Sequence, residues 1–421
     1  MNKHIPLLFA DPEYHKGLDP EHLCLSYSVQ PIRLHQQRFE NLLVAEPAVN
    51  LSHYEINAVF DWLEIFVQIK GRQPATNIQS SLKRLNKIYS AFHSSHVKGP
   101  SRETGHFGEQ FVIKMQDPRP KGLRLLLRAL MDQYCSEGME FDEIPLTGLE
   151  LSLDVYPARK MGFETEAYEA RRMLMTEVLR KHIFVHAAHR QKGRRPRFTF
   201  VHPGASISTT ENQIKASKRE IRAKLSSEEY TSGIAIEDLA SQVPSLHTQA
   251  FLDGTFYFGK KNERLFYRCM DKIDNERNGT TAIPLPLKET RSRIELTFID
   301  EVSGDGKGPT SADLISIDHI ATRRLAGFND LLIFGIPTIS KAKTCIDEPN
   351  EEEWEVFSKS GVAGLSLMHD VREEVDAALS GKPLKGRKAL LSTGKFGRYS
   401  ALNRRVAKAF KALGHRWHRD W

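Results

Sequence analysis

The chain reads as an α+β protein: an antiparallel-dominated sheet with helices on one face, plus helical flanking regions. Three observations predict this. Residues 254–298 hold three β-prone runs at 255–259, 265–270 and 293–298, and the last alternates charged or polar with apolar side chains, as a half-buried strand does. Residues 147–156, TGLELSLDVY, alternate more cleanly still, with Leu149, Leu151, Leu153 and Val155 on one side and Glu150, Ser152 and Asp154 on the other. Single helical patterns separate the strands, the layout of a sheet covered on one face.

In chain order, residues 1–50 mix prolines with polar residues and show no clear core element, so 1–52 reads as an N-terminal arm. The apolar-rich run at 58–69 suits a strand or a buried helix. Residues 75–98 space Ile78, Leu82, Leu85, Ile88, Tyr89 and Phe92 as a helix does, 107–115 reads as a strand, and 122–134 is an amphipathic helix. A long, charged helical pattern covers 165–190. His182, His186 and His189 fall on one face of it, a spacing that suits a metal although no carboxylate or thiol is adjacent. The run QKGRRPR at 191–197 reads as a phosphate-contacting loop through Arg194, Arg195 and Arg197, because Pro and Gly stop the helix. Residues 205–245 read as an insertion or flap.

The short interval 259–263 suits a hairpin with glycine at the tight position and presents Lys260 and Lys261. Beyond the third strand come a glycine-rich loop at 301–309, a helix at 312–326, a short apolar element at 329–336, an acidic surface stretch at 347–354 and a helix at 358–380. The span 399–413 sets Leu402, Val406, Ala409, Phe410 and Leu413 against Arg404, Arg405, Lys408 and Lys411, a helix that docks by one side and offers cations on the other. The organisation is thus 1–52, a main unit at 53–310, a helical part at 311–380 and a basic tail at 381–421.

Charge is uneven along the chain. Residues 381–421 carry twelve Lys or Arg against one acid, Asp420, in a chain whose total is +7, so residues 1–380 are net negative. A local basic segment is the footprint of a nucleic-acid partner, or else a solvated tail. With 40% hydrophobic residues the chain can build real cores. No run approaches the roughly 18–20 apolar residues of a membrane span, and the N-terminus lacks a signal peptide's apolar centre. Cys24, Cys135, Cys269 and Cys345 have no metal or redox spacing and read as reduced thiols of a cytoplasmic protein.

The strands at 254–298 put Tyr257, Lys272, Arg293 and Glu295 on one sheet. A tyrosine, a carboxylate and cations together are what phosphodiester transesterification needs: the phenol attacks phosphorus, carboxylates hold a metal, and Lys or Arg neutralises the rest. The bland alternative is an amphipathic meander with core aromatics and a solvated acidic face. Tyr257 and Tyr267 are both nucleophile candidates. Tyr257 is favoured because Thr255 and Gly259 leave room on its face, whereas Tyr267 sits among apolar alternation partners.

The layout resembles the trans-acting replication initiators of rolling-circle plasmids, with the related replication initiation factors and conjugative relaxases. The resemblance rests on FDWLEIFVQI at 60–69, GEQFVIKM with the helix GLRLLLRAL, the acidic strand LELSLDVYP, TFYFGKKNERLFYRCMDKIDNE and RIELTF, spanning about residues 58–298. One departure is Met270, which stands where the family has a tyrosine before its Asp-Lys pair, here Asp271 and Lys272. The resemblance implies an enzyme that nicks and rejoins one DNA strand and leaves a 5′-phosphotyrosine and a 3′-hydroxyl that primes replication. Glu150, Asp154 and Glu295 are the expected ligands of Mg²⁺ or Mn²⁺, as hard oxygen donors, with Lys272 and Arg293 facing the phosphoryl group. Expected partners are single-stranded or melted origin DNA, a host helicase and a second copy of the chain, with no membrane. Phe256, Phe258 and Phe266 are expected to stack unpaired bases. The alternative is a non-enzymatic DNA-binding initiator or regulator, or a structural nucleic-acid-binding protein of a mobile element.

Overall fold

A computed structural model describes residues 1–15, 17–19, 23–32, 39–99, 107–134, 144–184, 198–202, 205–208, 250–259, 265–277, 281–299, 332–343, 345, 347–380 and 396–421. The chain opens with strands β1 (Asn2–Pro6), β2 (Cys24–Pro31) and β3 (Leu42–Pro47). In β2, Leu25, Tyr27 and Val29 are buried and alternate with half-buried Cys24, Ser26 and Ser28. Each strand ends on a proline, which has no N–H to give a ladder. The prolines therefore punctuate strands, and the segment expected to be an arm is part of a sheet.

The middle of the chain supplies β4 (Tyr54–Pro74), α1 (Ala75–Tyr89), β5 (Ser94–Lys98), β6 (Phe107–Gln116), α2 (Pro120–Tyr134), β7 (Leu146–Pro157) and α3 (Thr165–His182). Strands β8 (Ile183–Phe184), β9 (Phe198–His202), β10 (Ala205–Ser208), β11 (Thr255–Phe258) and β12 (Leu265–Lys272) follow. A small ribbon, β13 (Asp274–Arg277) with β14 (Thr281–Pro284), precedes β15 (Arg291–Ile299) and β16 (Ile333–Ser340). The chain finishes with α4 (Glu351–Ser380), β17 (Phe396–Arg398) and α5 (Ser400–Asp420).

Nine of these strands form one sheet in the order β10-β9-β11-β12-β15-β7-β4-β6-β5, every pairing antiparallel. The runs at 107–115, 147–156, 255–258, 265–270 and 293–298 all lie in it, so the α+β class with an antiparallel-dominated sheet is what the protein adopts. A second sheet runs β1-β2-β3-β16-β17, with β8 beside β16. The run at 58–69, open between strand and helix in sequence, is the middle of β4.

The apolar face of the large sheet is covered by helices. Leu149, Leu151, Leu153, Ile294, Leu296, Tyr267, Phe256 and Phe258 all belong to the buried core. Helix α3 lies against it, the Thr176 hydroxyl donating to Ser292 Oγ at 2.8 Å. Helix α5 packs Trp417 edge-on against Phe60, ring centroids 4.8 Å apart, and buries Leu402, Val406, Ala409, Phe410 and Leu413 as its spacing predicts. Helices α1 and α2 pack on each other and on β4 to β6.

The charges of helix α3 do not sit on a solvated face. Arg172, Glu177, Arg180 and Lys181 are all buried, because α3 lies between the two sheets and each charge finds a partner there. Glu177 takes both Arg180 and Lys181, and Arg172 takes Asp271 at Oδ2, the oxygen that also accepts the Tyr14 hydroxyl at 2.8 Å. The start of α4 also departs from its expected surface position, since Glu353 is buried and accepts the Ser340 backbone N–H at 2.6 Å. Helix α4 kinks at Gly361 (φ 67°), where a Cβ would come within 2.6 Å of the Lys181 carbonyl oxygen, so the two helices approach through backbone alone.

His182, one of the three histidines on the α3 pattern, is fully buried. Its Nδ1 donates to the Gly335 carbonyl at 2.7 Å, which leaves Nε2 to accept from the Tyr27 hydroxyl at 3.0 Å. Both nitrogens are occupied, so His182 offers neither to a metal; His186 and His189 lie outside the described residues. Burial holds the ring neutral and lowers its pKa from 6.5 to about 4. The unfolded chain therefore takes up the proton first. Stability is full above pH 6.5 and falls as pH drops towards 4, by about 3 kcal/mol. Acid titration of the melting temperature should show this limb, and His182→Gln should flatten it relative to wild type.

No helix among the described residues is long and apolar enough to cross a membrane. Cys24, Cys269 and Cys345 are free thiols, and Cys135 lies outside the described residues.

Candidate active site

The face of the large sheet turned away from α3 and α5 carries the polar sides of β12, β15, β7 and β4. Register aligns them: Glu295 lies between Arg268 and Ser152, Arg293 between Met270 and Asp154, and Thr297 between Phe266 and Glu150. The strand order β12-β15-β7 thus brings Glu150 and Glu295 together, as the sequence reading required of neighbouring strands.

The third acid of the group is Asp61, which the sequence reading missed. A register shift in β4 between Phe60 and Trp62 sets Phe60 opposite core Leu151 and Trp62 opposite Glu150. Such a bulge re-aims side chains. Alternation in the first half of β4 already sets Asp61 with Asn57 and Val59 on the side away from buried Ala58 and Phe60, and the signal in the sequence is a lone acid in an apolar run, FDWL. Asp61 Oδ2 accepts from the Ser152 hydroxyl and from Arg293 Nη1 at 3.0 Å. Glu150 accepts the Thr297 hydroxyl at 2.7 Å. Asp61, Glu150 and Glu295 each offer an oxygen within 4.8 Å of the other two.

Asp154, expected as a metal ligand, is committed elsewhere. It grips Arg293 through two bonds, Nε to Oδ1 at 2.5 Å and Nη2 to Oδ2 at 2.8 Å, and Arg291 Nε lies 3.0 Å from Oδ1. Its carboxylate stands outside the three-acid group because two guanidinium groups saturate it. Arg293 in turn reaches Asp61 and, at 3.5 Å, Glu295 Oε1. Burial opposes its charge, but the Asp154 hydrogen bonds and neighbouring carboxylates outweigh this and raise its pKa further.

Four carboxylates thus face three arginines, Arg268, Arg291 and Arg293. Burial pushes Asp61 and Glu295 above the usual carboxylate range, and the negative charge of Glu150 pushes both the same way. Oxygen-only donors, close together and ill at ease with their shared charge, fit a hard divalent cation such as Mg²⁺ or Mn²⁺. Lys272 lies half-buried at the end of β12, its pKa lowered by burial and then by Arg293.

Tyr257 sits directly opposite Arg268 in the β11–β12 ladder, two strands from Glu295, a separation of roughly 10 Å between Cα atoms. Its half-buried ring stacks on Phe266, centroids 5.5 Å apart and planes at 20°. Tyr267 points to the other face and is core, its phenol pKa driven up by burial. Phe256 and Phe258 are also core, which corrects their expected base-stacking role: strand alternation sends both to the helix side, and Phe266 alone of the three shares the polar face. Tyr156, which the sequence reading did not consider, is half-buried on the polar face beyond Asp154, with its phenol pushed up to about 12 by burial.

The cations expected to contact DNA divide in two. Arg194, Arg195, Arg197, Lys260 and Lys261 lie outside the described residues. On α5, Arg404 and Lys408 are exposed, whereas Arg405 is held by the Tyr54 carbonyl at 2.9 Å. Because α5 covers the apolar face, its basic side and the acidic group lie on opposite sides of the sheet. Residues 381–395 are outside the described part, and 396–420 contribute a strand and a docked helix.

No family model matches the chain, and no curated protein does. Among solved structures it is similar to the rolling circle replication initiator protein from Geobacillus stearothermophilus, at 12% identity over 75% of this chain and 97% of that one, with a TM-score of 0.26. A likeness at that score carries no argument for fold or function, and the reading of the site rests on its geometry.

Proposed function

We propose that the chain is a DNA strand-nicking and rejoining enzyme of the replication-initiator type, acting on a single-stranded or melted origin through Tyr257. The observation that carries the reading is the row Tyr257–Arg268–Glu295 in cross-strand register, beside Asp61 and Glu150 on one sheet face. The Tyr257 Oη forms a bond to a backbone phosphorus as the bond from phosphorus to the 3′ oxygen breaks. The phenol proton lost is matched by one gained at the departing 3′ oxygen, leaving a 5′-phosphotyrosine and a free 3′-hydroxyl. Asp61, Glu150 and Glu295 would hold Mg²⁺ or Mn²⁺, which when bound withdraws charge from the phosphoryl oxygens. Phe266 orients the phenol by stacking, and Asp154 with Arg291 fixes Arg293 against the carboxylates.

The test is incubation of the full chain with Mn²⁺ and end-labelled single strands from its own replicon. An adduct that survives denaturing gel electrophoresis and maps to Tyr257 is expected. Duplex binding without any adduct would favour the non-enzymatic initiator instead.

The exposed α5 cations support a DNA contact separate from the cleavage site. Deleting residues 381–421 would uncover the core that α5 covers, so charge reversal is the cleaner probe. Arg404→Glu with Lys408→Glu should weaken duplex binding and flatten its logarithmic salt slope by about two, with the melting temperature and single-strand cleavage unchanged. Unchanged binding would assign that face to another partner.

A further inference from the structure

Among the arginines facing the three acids, Arg268 differs in freedom. Its side chain is 39% exposed, against 9% for Arg293 and 13% for Arg291. Arg293 is gripped by Asp154 and reaches two further carboxylates, so it has no edge left to offer a ligand. Among the described residues Arg268 is held by Glu295, and both its Nε (2.5 Å) and its Nη2 go to the same oxygen, Oε2. It also stands next to Tyr257 in the ladder, and Phe266, two residues before it on the same face, carries the Tyr257 ring.

Building on the nicking reading above, we propose that Arg268 is a further catalytic residue: it releases Glu295 when a divalent cation takes up that carboxylate, and turns its guanidinium fork onto the phosphate beside Tyr257. The chemistry that recommends it is competition. Glu295 Oε2 cannot serve a two-pronged guanidinium and a cation at full strength together, since both draw on the same lone pairs and the two positive charges repel. The displaced fork is planar and half in solvent, and its two-pronged geometry matches phosphoryl oxygens, which a lysine's single ammonium does not. Its position one strand from Tyr257 sets it beside the phosphorus that the phenol attacks. Arg268 thereby neutralises Glu295 until the cation arrives and neutralises the phosphate afterwards.

The experiment reads two quantities on the full chain that this proposal moves in opposite directions. The Mn²⁺ dissociation constant, from the electron paramagnetic resonance of free Mn²⁺ without DNA, should fall severalfold in Arg268→Gln, because a competitor for Glu295 and one positive charge are gone. The rate of adduct formation on the labelled strand should fall roughly 100-fold or more, as on removing one donor from a charge-stabilising site. Arg268→Lys keeps the charge without the fork, so its Mn²⁺ affinity should stay near wild type while its adduct rate falls. A merely structural arginine would weaken both readouts in Arg268→Gln. Weaker or unchanged Mn²⁺ affinity in folded Arg268→Gln, or adduct formation at the wild-type rate in either variant, overturns the proposal. A wild-type chain that forms no adduct overturns the nicking reading and this inference with it, whereas a reactive wild type with an equally reactive Arg268→Gln overturns the inference alone.

Discussion

Tyr257→Phe is expected to abolish covalent capture of DNA while leaving strand binding intact. The phenyl ring keeps the stack on Phe266, so the site retains its shape and loses a single hydroxyl. Removal of a covalent nucleophile costs on the order of 10⁶-fold in rate, below detection in a gel assay of adduct. Fluorescence anisotropy of a labelled single strand should give wild-type affinity. Tyr267→Phe is the control: its ring is buried among Phe258 and the core of the opposite face, so it should change stability and leave the adduct in place. An adduct present in Tyr257→Phe and absent in Tyr267→Phe would reverse the assignment. One that persists in both would defeat the placement at Tyr257, and Tyr156 is then the phenol of that face to replace.

The parts of this fold that were legible in sequence are those where alternation is local. Strand β7 declares itself because Leu149, Leu151 and Leu153 face helices while Glu150, Ser152 and Asp154 face the polar network, and nothing interrupts the period. The separation of Tyr257 from Tyr267 was legible for the same reason. What was hidden depends on contacts between segments far apart in the chain. Asp61 joins Glu150 and Glu295 through the pairing of β4 with β7 and of β7 with β15, segments far apart in the chain, and the one-residue bulge that follows it leaves no mark on composition. The burial of the α3 charges was hidden too, since nothing in TEAYEARRMLMTEVLRKH shows that Asp271 and the Ala250 and Phe251 carbonyls wait for Arg172 and Arg180. Residues 24–31 do carry a period-two pattern, Leu25, Tyr27 and Val29, set among prolines and polar residues. Pro6, Pro31 and Pro47 stand at strand ends, where a missing N–H costs the ladder nothing.

Asp154 shows how a residue type can be read correctly and its role still missed. On a solvated face, Asp154→Ala would leave folding almost intact and remove a metal ligand. In this fold the carboxylate is 5% exposed, accepts two hydrogen bonds from Arg293 and forms an ion pair with Arg291 at 3.0 Å. Removing it strands two guanidinium groups in a setting where burial already opposes their charge, a loss of about 3–5 kcal/mol for a broken buried pair. Chemical denaturation should register that loss as an earlier midpoint with an unchanged slope. Asp154→Asn should be milder, because the amide oxygen still accepts one bond from Arg293 while the charge is gone. In Asp154→Asn the freed Arg293 should lean further onto Asp61 and Glu295, which raises the positive charge at the three-acid group and weakens Mn²⁺ binding. A folded Asp154→Ala with wild-type stability would place the residue on a solvated face after all, and its arginine contacts would then count for nothing.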